Sequence, residues 1–222
     1  YFAFTIIAKD IKKNQIKLEI YTFLSIMGSF IGRMLHIMKC KKGKNMIKIE
    51  KTNIKVEKTI MQGVTFRKYQ NRNILYAVLG EGDCATFIVV DIDKEKVEKQ
   101  HDLPGADGSW IVTVADDERV YIGTYVNGAI YRYDPIKDAV EVIEENVSGS
   151  QFVFDMVFDE EQNLYAGTWP NCGIYQYNTK KDRKGFLEEK IIPTEDYVRT
   201  MTYSQKNKKI YAGIMSHAHL VE

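Results

Sequence analysis

Cysteine is scarce in this 222-residue chain: Cys40, Cys84 and Cys172 are all there are, with no Cys-x-x-Cys pair and no histidine at ligand spacing from them. A zinc finger or a disulfide framework is therefore not expected, and reducing surroundings are compatible. No cofactor and no metal centre are anticipated. Charge of one sign is missing too. With 31 basic and 30 acidic residues the formal net charge is +1, so no global field points to a nucleic-acid partner. Neither a phosphate loop nor a dinucleotide fingerprint nor a serine-nucleophile motif occurs. Asp91 and Asp93 lack the spacing of a calcium loop, and Asn146-Val147-Ser148 is a glycosylation sequon with meaning only in a eukaryotic secreted protein. Tyrosine and phenylalanine, by contrast, are abundant at 14 and 10, which favours strands with aromatic packing on a pleated face.

Residues 1–45 differ from the rest. Ile20 to Met38 is a 19-residue apolar run broken by Arg33 and His36 and followed by Lys41, Lys42 and Lys44. Its length admits a membrane-spanning or interfacial helix, which Arg33 and the central Gly28 weaken. The polar stretch ahead of it fits a signal peptide poorly. A third reading starts from Lys42-Gly43-Lys44-Asn45 before Met46, which is what a purine-rich ribosome-binding sequence gives when translated in frame. On that reading residues 1–45 are a gene-calling artefact and the protein begins at Met46. The chain as given starts with Tyr1, which suggests that its natural start is absent. A cytoplasmic location is expected, with membrane anchoring or export as the alternative if residues 20–38 form a real helix.

From Met46 onward the chain is organised by repetition. Met46 to Ile60 alternates apolar and polar residues like one half-buried strand, and Val64 to Tyr69 gives another. Then Leu75-Tyr76-Ala77-Val78, Val120-Tyr121-Ile122-Gly123, Leu164-Tyr165-Ala166-Gly167 and Ile210-Tyr211-Ala212-Gly213 recur, the tyrosines standing 45, 44 and 46 residues apart. The third unit reads as strands Phe152–Phe158, Leu164–Thr168, Ile174–Asn178 and Gly185–Ile192. The second reads as Trp110–Val114, Val120–Thr124, Ala129–Tyr133 and Ala139–Ile143. Asp134-Pro135 and Asn178-Thr179 are set to start turns, and Gly123, Gly167 and Gly213 inside strands mark close backbone approach.

Four strands in about 45 residues is the pattern of a β-propeller blade, whose two apolar faces are buried only by stacking on neighbours. The expected fold is thus all-β, with repeat units of roughly 62–106, 107–150, 151–196 and 197–222. The fourth stops at its third strand. A propeller usually closes with four to eight blades, so the three and a half blades read as part of a larger ring. Further C-terminal blades, with Met46–Ile60 as a closing outer strand, would complete it.

The segment Leu164-Tyr165-Ala166-Gly167-Thr168-Trp169, followed by Gly173-Ile174-Tyr175 and Tyr177-Asn178, resembles bacterial propellers of the broad YVTN and quinoprotein-like kind, including propeller polysaccharide lyases. The resemblance covers about residues 62–222 and concerns the fold. The Gly-His and Trp-Asp signatures of WD repeats and the double glycine of kelch repeats are missing, and no lyase motif matches residue by residue.

In such a fold, ligands meet the loops at one end of the channel. Those loops gather Trp110, Tyr125, Asn127, Gln151, Trp169, Asn171, Asp196, Tyr197, Arg199, His217 and His219. Flat aromatic faces and amides suit sugar C–H surfaces and hydroxyls. The same residues also suit plainer duties, with Trp110 and Trp169 covering blade ends and the asparagines making turns. His217 and His219, two apart on a strand, point to one side, but two histidines do not make a metal site. The leading expectation is a platform for a carbohydrate, a polysaccharide or another small polar ligand. One alternative is a polysaccharide lyase acting on uronic-acid glycans, with His217 or Tyr125 as base, His219 beside them and Arg199 neutralising the carboxylate. The plainer duty for Arg199 is an ion pair with Glu195 or Asp196. The other is a protein-interaction scaffold.

Overall fold

Apolar and polar residues alternate through most of the chain, and the backbone answers with short strands whose successive side chains face opposite sides. The computed structural model describes residues 33–39, 48–56, 60–80 and 82–222. Strand β1 (Arg33–Lys39) pairs antiparallel with β2 (Lys48–Val56). Two expectations change here. Residues 33–39, the end of the apolar run, satisfy their backbone groups in a ladder with β2 rather than in a helix. The stretch Met46–Ile60 is also not one strand, because β2 ends at Val56 and β3 (Ile60–Tyr69) begins at Ile60. Residues 20–32, the rest of the apolar run, lie outside the described residues. Among the described residues no helix is long and apolar enough to cross a membrane.

The remaining strands form successive antiparallel meanders. The first blade is β3, β4 (Arg72–Gly80), β5 (Cys84–Asp91) and β6 (Lys96–Pro104), hydrogen-bonded in that order. The second is β7 (Gly108–Val114), β8 (Val120–Tyr125), β9 (Ile130–Asp134) and β10 (Ala139–Glu144). The third is β11 (Phe152–Phe158), β12 (Asn163–Trp169), β13 (Ile174–Asn178) and β14 (Arg183–Glu188). The fourth has β15 (Tyr197–Ser204), β16 (Lys209–Met215) and β17 (His219–Val221). A single bridge, Phe152 to Tyr125, links the second blade to the third. Strand β14 is shorter than Gly185–Ile192, because past Glu188 the chain leaves the sheet and the Ile191 N–H bonds the Cys172 carbonyl at 3.1 Å.

Turn chemistry follows the sequence. Asp134 Oδ1 accepts the N–H groups of Ile136 and Lys137 at 2.9 and 3.1 Å, and Asn178 Oδ1 accepts those of Lys180 and Lys181 at 3.2 and 2.8 Å. Each is a side chain standing in for a backbone turn acceptor.

The repeating tyrosines explain the stacking. Tyr76 of the first blade packs tilted on Tyr133 of the second, with 6.3 Å between ring centres. Tyr121 of the second packs on Tyr177 of the third at 6.2 Å. Both partner hydroxyls find a carboxylate, Tyr133 with Asp138 at 3.2 Å and Tyr177 with Asp182 at 2.8 Å. Around the first pair gather Val78, Phe87, Val112 and Ile122; around the second, Ile130, Val153, Met156 and Leu164. Burial of each large side chain contributes roughly 1.5–3 kcal/mol. Glycine then sets the spacing. A Cβ on Gly167 would stand 2.7 Å from Val198 Cγ1 and 2.9 Å from the Val198 carbonyl oxygen. The inner strand of the fourth blade therefore lies directly against β12.

Candidate functional site

The first strand of every blade carries the same irregularity. Pairing slips between Met61 and Val64 on β3, Ser109 and Ile111 on β7, Val153 and Asp155 on β11, and Val198 and Thr200 on β15. A β-bulge leaves one residue outside the ladder and re-aims its side chain. Trp110, Phe154 and Arg199 are the residues skipped in the last three cases, and Gln62 holds the same register in the first.

Three of these side chains, from three successive blades, converge. The Arg199 guanidinium carbon lies 5.4 Å from the centre of the Trp110 ring and 4.8 Å from that of Phe154. Trp110 and Phe154 are themselves 6.2 Å apart. Residues two positions before a bulge share its face, which brings in Phe152 and Tyr197. Phe152 stacks on Phe154 at 5.5 Å and Phe154 meets Tyr197 at 5.6 Å. The ends of the second strands add Tyr125, 5.8 Å from Phe152, and Trp169, 5.0 Å from Phe152 and 5.9 Å from Tyr197. In the second blade the matching position is Gly108. A Cβ there would sit 2.2 Å from the Tyr125 hydroxyl oxygen, so the missing side chain makes room for that ring. All but Tyr125 of these aromatic residues are half-buried, as is Arg199. The result is an aromatic surface with one cation set in it.

Of the residues selected from sequence, Trp110, Tyr125, Trp169, Tyr197 and Arg199 come together here. Phe152 and Phe154, not selected, complete the cluster. Arg199 is not paired with Glu195 or Asp196, because the bulge turns it onto the rings. An acidic neighbour of Arg199 is Asp155. That carboxylate is already occupied: Oδ2 accepts the Met201 N–H at 2.7 Å and the Thr200 hydroxyl at 3.1 Å, and Oδ1 accepts the Met156 N–H at 2.9 Å. Burial pushes the Asp155 carboxyl above its usual range, against the pull of those donors.

Asn127 has a different duty. Its Oδ1 accepts the Thr124 hydroxyl at 2.6 Å, and its Nδ2 donates to the Tyr131 hydroxyl at 3.1 Å. The amide is thus committed to the loop between β8 and β9. Gln151 is exposed and gives its backbone N–H to the Trp169 carbonyl at 2.8 Å, while Asn171 is half-buried in the loop between β12 and β13. Burial, with a smaller contribution from Asp107, pushes the Tyr125 hydroxyl up. That direction makes its phenolate scarcer at neutral pH and weighs against Tyr125 as a general base.

The histidines gather on Glu195, one of the two carboxylates expected beside Arg199. Glu195 is 1% exposed; its Oε2 accepts the His217 backbone N–H at 3.0 Å and its Oε1 lies 2.6 Å from His217 Nδ1. His219 Nε2 is 3.7 Å from the same Oε1. The hydrogen bond from the His217 ring, more than any other influence, holds the Glu195 carboxyl below its usual range. The His217 side chain is 76% exposed. Among the described residues, no group of three or more His, Cys, Asp or Glu has the arrangement to hold a metal ion.

Solved structures share this architecture. The chain is similar to virginiamycin B lyase from Staphylococcus aureus, with a TM-score of 0.57 and 12% identity over 72% of this chain and 54% of that one. It is similar also to the Dos1 propeller, with a TM-score of 0.54 and 9% identity over 73% and 40%. An auxiliary nutrient binding protein from Bacteroides thetaiotaomicron gives 0.53 and 11% over 71% and 36%. The fold is a β-propeller. At these identities the likeness concerns fold alone, and the chain spans about half or less of each neighbour's length. No protein-family model and no curated relative matches the sequence.

Proposed function

We propose that this propeller binds a carbohydrate at the end of the channel where the bulged residues meet. One observation carries the reading: Trp110 and Phe154, each pushed out of its ladder at the same register, present adjoining ring faces beside Phe152, Trp169 and Tyr197. Ring faces of this kind take the C–H side of a sugar, and a concave mouth with a few polar groups is the usual form of a ligand site. A generic binding role also agrees with the propeller fold. Trp110 and Trp169 are the only tryptophans in the chain, so selectively excited tryptophan fluorescence reports on this site. A glycan array followed by fluorescence titration tests the reading. Saturable quenching by an array hit, lost in Tyr197→Ala, supports it, and an array without hits counts against it.

A polysaccharide lyase acting on uronic-acid glycans is the second reading, and His217 favours it. With Nδ1 engaged by Glu195, Nε2 of an exposed ring is left to accept a proton. Unsaturated product released by the wild type but not by His217→Ala would support turnover.

A further inference from the structure

The carbohydrate reading leaves Arg199 without a partner suited to its chemistry, and on that reading we infer that the ligand is an acidic sugar whose oxyanion is bound by Arg199. Guanidinium groups in half-buried positions normally pair with carboxylates, because their five donors lose water when covered. Arg199 makes no ion pair and donates no hydrogen bond among the described residues. The guanidinium lies against aromatic rings instead. Trp110 and Phe154 lie at 5.4 and 4.8 Å from its carbon, which cation–π attraction favours. Ring contact of that kind satisfies charge without using the N–H groups. Asp155, the near carboxylate, has its oxygens taken by Met156, Met201 and Thr200. The bulge holds the side chain in this place, since Arg199 stands between Val198, paired with Ile214, and Thr200, paired with Gly213.

The group thus positioned is a planar donor fork beside two aromatic rings. A carboxylate or a sulfate on a sugar accepts two parallel hydrogen bonds from such a fork, while the sugar's C–H face lies on the adjacent ring.

The test uses the full chain and three oligosaccharide probes of equal length: oligogalacturonides, the same oligomers with their carboxyls reduced to neutral alcohols, and sulfated galactose oligomers. Affinities come from tryptophan fluorescence and calorimetry. Charge-assisted hydrogen bonds contribute about 1.5–3 kcal/mol, so an acidic probe is expected to bind at least about tenfold more tightly than the neutral one. In Arg199→Gln that ratio is expected to fall to near one, and Arg199→Lys, which keeps the charge but not the fork, should restore part of it. Thermal melts of both variants establish that they fold. Which acidic probe binds more tightly identifies the oxyanion as carboxylate or sulfate, and either result supports the inference. Equal binding of acidic and neutral probes by the wild type overturns it while leaving the carbohydrate reading standing. An unchanged ratio in Arg199→Gln overturns it as well. Failure of all three probes to bind counts against both.

Discussion

Arg199 on β15 lies with its guanidinium carbon 4.8 Å from the centre of the Phe154 ring on β11, so adjacent blades meet through two residues that neither ladder includes. The same bulge recurring in successive repeats turns a packing scaffold into a surface. A regular strand would have alternated these side chains into the interfaces between blades.

Replacing Phe154 by alanine removes ring contacts to Trp110, Phe152 and Tyr197 together with the Arg199 stack. Each aromatic pair is worth about 0.5–1.5 kcal/mol beyond burial. Phe154→Ala should therefore lower stability by roughly 2 kcal/mol in urea unfolding and red-shift the tryptophan emission. Phe154→Leu, which keeps volume without an aromatic face, should retain most of the stability while sugar binding weakens. Equal sugar affinity in the wild type and Phe154→Leu would remove the ring face from the binding surface.

Gly167 and Gly185 make an internal comparison. The Cβ of Gly167→Ala would sit within 3.0 Å of Val198 side-chain and backbone atoms, whereas nothing lies within 4 Å of a Cβ at Gly185. Overpacking against backbone costs about 1–3 kcal/mol. Gly167→Ala should lower the unfolding free energy by that amount and the midpoint with it, and Gly185→Ala should change either little. Equal midpoints for the two variants would contradict the close approach of β12 and β15.

The blades were legible in the sequence because a tyrosine recurs in all four repeats at one period, with a glycine in the last three and a turn residue in the second and third. Tyr76, Tyr121, Gly167, Asp134 and Asn178 all do what their spacing implies. The site was legible only in part. Alternation within a strand says nothing of a bulge, so Phe154 did not stand out within β11. The signal was nevertheless present, since Trp110, Phe154 and Arg199 follow one another at 44 and 45 residues. Following every column of the repeat, rather than the tyrosine column alone, would have aligned them. Glu195 was missed as a histidine partner because contact between it and His217 depends on how the chain enters β15 and leaves β16, which no short-range pattern encodes. The pairing of β1 with β2 was hidden by an apolar run that helix and strand share equally.

Asn127 separates a loop-holding amide from a ligand-binding one. With both ends bonded to Thr124 and Tyr131, Asn127→Ala should cost about 1 kcal/mol of stability, a typical value for such bonds. Its sugar affinity should stay within about twofold of the wild type, which is under 0.5 kcal/mol. A large loss of affinity with unchanged stability, read from titration and thermal melts of the same sample, would return Asn127 to the binding surface.

The pairing of Glu195 with His217 predicts how stability responds to acid. The carboxyl of Glu195 titrates below its ordinary value in the folded chain, chiefly because the His217 ring donates to it. A carboxyl whose folded value is depressed contributes stability that is fully present above its unfolded value, about 4.3 for glutamate, and lost as pH falls through the folded one. The melting temperature should therefore drop on acidification below about pH 4.3, at the pH where Glu195 takes up its proton. Glu195→Gln cannot take up that proton and should show a lower melting temperature at neutral pH with a shallower acid limb. His217→Ala should move the acid limb toward higher pH, since the carboxylate loses its ring donor while keeping the backbone N–H of residue 217. Thermal melts from neutral pH downward on the three proteins decide the matter. An acid slope in Glu195→Gln as steep as in the wild type would assign the loss of stability to other carboxylates and leave the Glu195–His217 pair without a part in holding the 215–218 loop.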